Sequence, residues 1–167
     1  MLVQDAQREI RTVFVRGAVG QTVSGLIWLV SAALGTWAGT TPAIIALAAG
    51  GALIFPLTQL GLRLLGRPAG ARRENPLNGL AMQVAFIVPL CLPVIGAAAL
   101  YRVEWFYPAF MVVVGAHYLP FIFLYGMWQF GVLAGLLVGG GALLGLYGPD
   151  VFALGAWITG VVLVVFA

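Results

Sequence analysis

Lysine is missing from the 167-residue chain, and all eight of its basic residues are arginine. Schiff-base chemistry on a side-chain amine, of the kind that holds retinal or pyridoxal phosphate, is thereby excluded. Cysteine occurs once, as Cys91 between Pro89 and Pro93. Neither an internal disulfide nor a thiolate metal cluster can form, and Cys91 reads as a small buried hydrophobe. Histidine also occurs once, as His117. With no carboxylate inside the apolar runs, there is no ligand set for a metal and no sign of a cofactor. Serine-nucleophile and two-carboxylate mechanisms likewise lack a buried acid or base, because Glu104 and Asp150 fall in loops.

Charge itself is scarce. Only 8% of residues are charged and 62% are hydrophobic, against about 25% and about 45–50% in a soluble domain. The mean hydropathy is +1.07. Uncharged runs extend over Gly17–Leu62, Asn75–Tyr101, Trp105–Pro149 and Val151–Ala167. About 20 helical residues cross the hydrocarbon core of about 30 Å, so the first and third runs each hold two crossings. The fold class expected is all-α: a polytopic transmembrane bundle of six spans over residues 17–38, 42–62, 77–100, 106–125, 128–147 and 151–167. Residues 1–16 form an amphipathic surface helix with Val3, Ile10, Val13 and Phe14 roughly on one face. A signal peptide is not expected, because Asp5 and Glu9 precede an apolar segment longer than the usual 7–15 residues or so.

The net charge of +3 does not point to nucleic acid, because the arginines flank apolar segments instead of covering one soluble face. They set orientation instead. Arg8, Arg11, Arg16, Arg63, Arg67, Arg72 and Arg73 share one side and Arg102 stands alone on the other, which places both termini in the cytoplasm of an inner-membrane protein.

Two features predict the packing. The stretch Asn75–Phe121 carries Pro89, Pro93 and Pro120 in its apolar segments. Proline frees backbone carbonyls that neighbours must satisfy, so this pair of spans is expected at the centre of the bundle. In span one, Gly17, Gln21, Ser24, Trp28, Ser31 and Gly35 recur at steps of four and three, forming one narrow face suited to close helix approach. Span five, with Gly131, Gly135 and Gly139, is the expected neighbour. The alternative is docking of a membrane-protein partner or a second copy through Gly17, Ser24, Ser31 and Gly35. A faint echo between L-G-T-W-A-G-T-T-P-A-I-I-A-L and L-G-L-Y-G-P-D-V-F-A-L would, as a true repeat, make spans one–two and five–six matching hairpins.

Placed by depth, Gln21, Gln59, Asn78 and Gln83 all fall in the cytoplasmic half and lead to His117 near mid-span. Intramembrane polar groups are costly and tend to face a cavity, so these five are candidate binding residues for a small molecule or ion. Hydrogen bonding between helices is the alternative. His117 could also relay a proton or act as the base of a membrane-embedded enzyme. Arg67, Arg72 and Arg73, beside an N-cap at Asn75 followed by Pro76, are candidates for an anion, foremost the headgroup of an anionic membrane lipid on the cytoplasmic side.

The runs F-P-L-T-Q, E-N-P-L-N-G-L-A-M-Q, W-F-Y-P-A-F and V-G-A-H-Y-L-P-F-I-F-L-Y-G-M resemble an uncharacterised bacterial family of small multi-pass membrane proteins known only as a domain of unknown function. The similarity covers roughly Ala6 to Leu137. It implies a bacterial inner-membrane protein and carries over no activity or site residue. In size and six-span plan the chain is also similar to the substrate-binding membrane subunits of energy-coupling-factor vitamin transporters, whose first span docks a partner through small residues; this is an analogy of architecture.

Overall fold

The computed structural model describes residues 1–68 and 70–167. Seven α-helices run in the order α1 (Val3–Val13), α2 (Ala18–Trp37), α3 (Thr40–Leu64), α4 (Asn78–Tyr101), α5 (Phe106–Tyr125), α6 (Gln129–Tyr147) and α7 (Leu154–Phe166), and no strand occurs among the described residues. Five helical segments, α2 to α6 with the short 3-10 turns before α2 and α5, are long and apolar enough to cross a membrane. The last helix is shorter than expected. Residues 151–153 are taken up by a turn in which the Val151 amide donates to Pro149 and the Leu154 amide to Val151. That leaves 13 helical residues, about 20 Å of rise.

Close approach at small residues organises the bundle. Along α2, Gly20 lies by Thr58, Gly50 by Ile27, and the Ser31 hydroxyl donates to the Ala43 carbonyl at 2.8 Å, so α3 runs antiparallel beside it. On another side of α2 lies α7, also antiparallel, with Gly35 beside Ala153 and Gly25 against Gly160 and Val164. A β-carbon on Gly25 would come within 3.0 Å of the Gly160 carbonyl oxygen, and one on Gly160 within 3.1 Å of the Gly25 carbonyl oxygen. The small-residue face of α2 is thus occupied by this chain's own helices. Its neighbours are α3, α5 and α7, with Trp28 and Ser31 meeting α5, and not the expected Gly131, Gly135 and Gly139 of α6. Gly135 and Gly139 face open space, and Gly131 meets Ile122 of α5. α6 joins α5 through Gly115 against Leu137 and Val138, and through Gly141 against Pro108 and Met111. Since α7 pairs chiefly with α2 and α6 with α5, the matching hairpins that a repeat would require do not form.

The proline-bearing pair divides in the same way. α5 is the hub, burying Tyr107, Met111, Val114, Tyr118 and Leu124 among others. Around it stand two aromatic groups, Trp28, Phe106, Tyr107, Phe110 and Phe152 towards one end, and Tyr118, Phe121, Tyr125 and Phe130 towards the other. By contrast α4 leans on α5 alone, buries only Val84 and Ile95, and turns Pro89 and Pro93 outward. Lipid-facing proline is tolerable because the missing amide leaves only the carbonyl one turn back to be satisfied locally. Cys91 is half-buried.

The amphipathic face of α1 is covered by protein. Its inward residues are Ala6, Ile10 and Val13, while Val3, expected on that face, is exposed. α1 packs across the end of α5, where the Gln7 amide donates to the Phe123 carbonyl and the Arg11 guanidinium to the Tyr125 carbonyl. These carbonyls belong to the last turn of α5, where a helix runs out of its own amide donors; the Phe123 carbonyl also accepts a long bond from the Gly126 amide at 3.3 Å. Gly126 then ends α5 at φ 62°, and any side chain there would strike Gln7.

Candidate functional site

The five candidate polar residues do not converge on one cavity. Gln21 is buried on α2, Gln59 is half-buried on α3, and Gln83 is exposed on the outer side of α4. Asn78 turns back to the preceding loop, where its amide donates to the Arg72 carbonyl at 2.8 Å. His117 is held edge-on by Tyr118 and Phe121, with ring centroids at 5.5 and 5.1 Å, and the backbone of Val84 on α4 faces it. Among the described residues, two buried side-chain polar atoms find no hydrogen-bond partner in the protein: His117 Nδ1 and Thr58 Oγ1. Thr58 is six residues, about 9 Å, from the end of α3, and His117 eight residues, about 12 Å, from the end of α5, so both lie at similar depth from the arginine-rich end.

Thr58 is a residue that reading the sequence passed over. The one signal for it was its place in the F-P-L-T-Q run beside Pro56. Gly20 on α2 presents no side chain to it, so the hydroxyl lies against bare backbone with nothing opposite to accept its proton.

The arginine cluster is also divided. Glu9 of α1 accepts from the Arg72 backbone amide at 2.8 Å, from Arg72 Nε at 3.2 Å and from Asn75 Nδ2 at 3.0 Å. Asn75 is buried; it also donates to the Ala6 carbonyl and accepts from the Leu77 amide at 2.9 Å, so the helix begins at Asn78, later than expected. Arg72 and Asn75 therefore hold α1 to the loop, leaving little for an external anion. The Arg72 amide, seconded by Asn75 and the Arg72 guanidinium, holds the Glu9 carboxyl below the ordinary carboxylate range. Arg73 is exposed, and Arg67 lines a depression with Arg8, Arg11 and Arg16. At the opposite end, Arg102 meets Asp150 at 2.6 Å and Glu104 at 3.9 Å, and sits 5.8 Å from the Trp105 ring.

Five apolar membrane-length helices, among them the aromatic α5, with their charges at the two ends, define a multi-pass helical membrane protein. The chain belongs to a family of unknown function, DUF7010, which it matches over residues 3–167. No curated protein and no solved structure matches it.

Proposed function

We propose that this is a bacterial inner-membrane protein that crosses the bilayer six times with both termini cytoplasmic, and that binds or carries a small molecule or ion at polar groups of its cytoplasmic half. The groups assigned to that role are His117 and Thr58, with Gln21 of α2 and Gln59 of α3, as separate polar positions and not as the lining of one formed cavity. The observation that carries the reading is the pair of buried, unpartnered atoms His117 Nδ1 and Thr58 Oγ1. A buried polar group left unpaired costs about 1–3 kcal/mol, and native proteins seldom keep one without a bound water, ion or ligand. The orientation is supported by the arginines: seven are at one end, and the single one at the other is flanked by carboxylates. The sixth crossing is supported by α7, which follows α2 from Gly35 to Gly25. Gln83, exposed, and Asn78, tied to its loop, take no part in this reading.

The test is a thermal-stability screen of the purified protein against ions and metabolites, repeated with His117→Phe and Thr58→Val. Without ligand each variant should match the wild type or exceed it by up to about 3 kcal/mol, because an unpaired polar atom is removed. With ligand, the stabilisation of the wild type should disappear in at least one of the two. A wild type that nothing stabilises, with variants that lose stability, would mean these groups serve only to join helices.

A further inference from the structure

Where α1 ends, three consecutive residues have positive φ: Val15 at 50°, Arg16 at 56° and Gly17 at 90°. Only the glycine adopts such a conformation freely, and a β-branched residue there is a rare outlier that the surroundings must hold in place. This turn brings the end of α1 over the start of α2 and borders an open depression of about 350 Å³. The volume is within the range of small-ligand sites. Its lining is Arg8, Arg11, Thr12, Val15, Arg16 and Arg67.

Four arginines thus line one concavity, and its lining contains no carboxylate. Among the described residues, none of the four lies within salt-bridge distance of an acid; of the three carboxylates at this end, Asp5, Glu9 and Glu74, none lines the depression, and Glu9 is committed to Arg72 and Asn75. Arg11 is fixed by its hydrogen bond to the Tyr125 carbonyl, which holds one cation in place without neutralising it. The N-terminus of α2, immediately after the turn, adds the positive end of a 20-residue helix. Arginine cannot lower this repulsion by losing its proton, as lysine could, and its planar fork of donors matches a tetrahedral oxyanion. Arg67 belongs to the loop after α3 and the other three to the N-terminal segment, so an anion here would also join two parts of the chain that are far apart in sequence.

We infer that this depression is a binding site for a phosphate group, distinct from the unpartnered atoms of Thr58 and His117, in which Arg8, Arg16 and Arg67 close on the oxyanion and Arg11 backs them. The phosphate belongs either to the phosphodiester headgroup of an anionic lipid or to a soluble phosphate compound.

The experiment keeps the purified protein in a phosphate-free maltoside detergent, with and without added phosphatidylglycerol, and follows the melting temperature. A second arm adds inorganic phosphate or glycerol 3-phosphate to the protein in detergent alone. Stabilisation by phosphatidylglycerol only assigns the site to a lipid headgroup, and stabilisation by the soluble compounds assigns it to a free phosphate; either supports the site. Arg16→Gln combined with Arg67→Gln should weaken the effective ligand about tenfold, while Arg73→Gln, outside the depression, should not change it. If the double variant does not fold, Arg8→Gln is measured in its place. The site is rejected if no phosphate-bearing probe stabilises the wild type, or if Arg73→Gln loses as much as the variants of the depression.

Discussion

Ser31 and Tyr107 bring their hydroxyl oxygens to 2.6 Å in a fully buried position where α2, α3 and α5 meet. Because the Ser31 hydroxyl donates to the Ala43 carbonyl, the proton between the two residues belongs to Tyr107, and one serine links three helices. The stripe of small residues on α2 is therefore structural at this point. Trp28, one turn earlier, lies against the same tyrosine, with ring centroids 5.9 Å apart.

Tyr107→Phe should cost about 1 kcal/mol, since it removes one hydrogen bond and leaves Ser31 its carbonyl partner. Ser31→Ala should cost about 1–2 kcal/mol, because it removes two bonds and leaves Tyr107 only a long contact, 3.4 Å, to the Ser31 carbonyl. Melting of the two variants and the double variant in detergent gives the coupling. Additive losses would show that the two hydroxyls do not interact.

Glycine should matter at Gly25 and Gly160 and not at Gly139. Alanine at either of the first two puts a β-carbon against facing backbone and should destabilise by about 1–3 kcal/mol. Gly139→Ala enters open space within a helix and should be neutral or stabilising by up to about 1 kcal/mol. Equal losses at all three positions would mean that α6 is packed as tightly on that side as α2 and α7 are on each other.

Acid should loosen α1. The folded protein lowers the Glu9 pKa, so its contribution is complete above the ordinary carboxylate range and is lost as pH falls through the lower, folded value. The protection of the Arg72 amide against hydrogen exchange, relative to the intrinsic rate at each pH, should fall on acidification below that range, because its acceptor is Glu9. In Glu9→Gln this loss of protection with acid should be absent, and an unchanged acid response there would assign it to another group.

The orientation predicts that, in a Cys91→Ala background, a cysteine at Val103 is labelled on intact cells by an impermeant thiol reagent and one at Ala71 is not. Labelling at Ala71 alone would invert the protein and move its arginine-rich end outside.

Membrane-length helices are legible in the sequence because the charges fall in α1, in the loops and in the last turn of α3, and so bound each apolar run. Which helices touch is not. Repeated glycine on α2 and repeated glycine on α6 look alike as text, yet the first is filled by α3 and α7 while Gly135 and Gly139 are open; spacing shows that a face is narrow, not what covers it. Proline in α4 misleads for a related reason, since Pro89 and Pro93 need no buried neighbour when they face outward. The candidate anion site was assembled from residues adjacent in the chain, Arg67 to Asn75. Space regroups them: Glu9, 63 positions from Arg72, takes one arginine away, and the N-terminal segment supplies three others to Arg67. Of the polar residues, His117 stood out through its rarity, whereas Thr58 resembles any threonine, which in a helix ordinarily returns its proton to its own backbone.

The carbonyls that receive Gln7 and Arg11 lie 116 and 114 positions further along the chain. A ribosome supplies residues in that order, so α1 can first meet the loop that carries Arg72 and Asn75, and the end of α5 reaches it only after α4 has been made. Only once α5 is in place do Gln7 and Arg11 find the end of a helix to close. In the finished bundle the same short segment is the clasp that ties the end of α5 to the loop after α3.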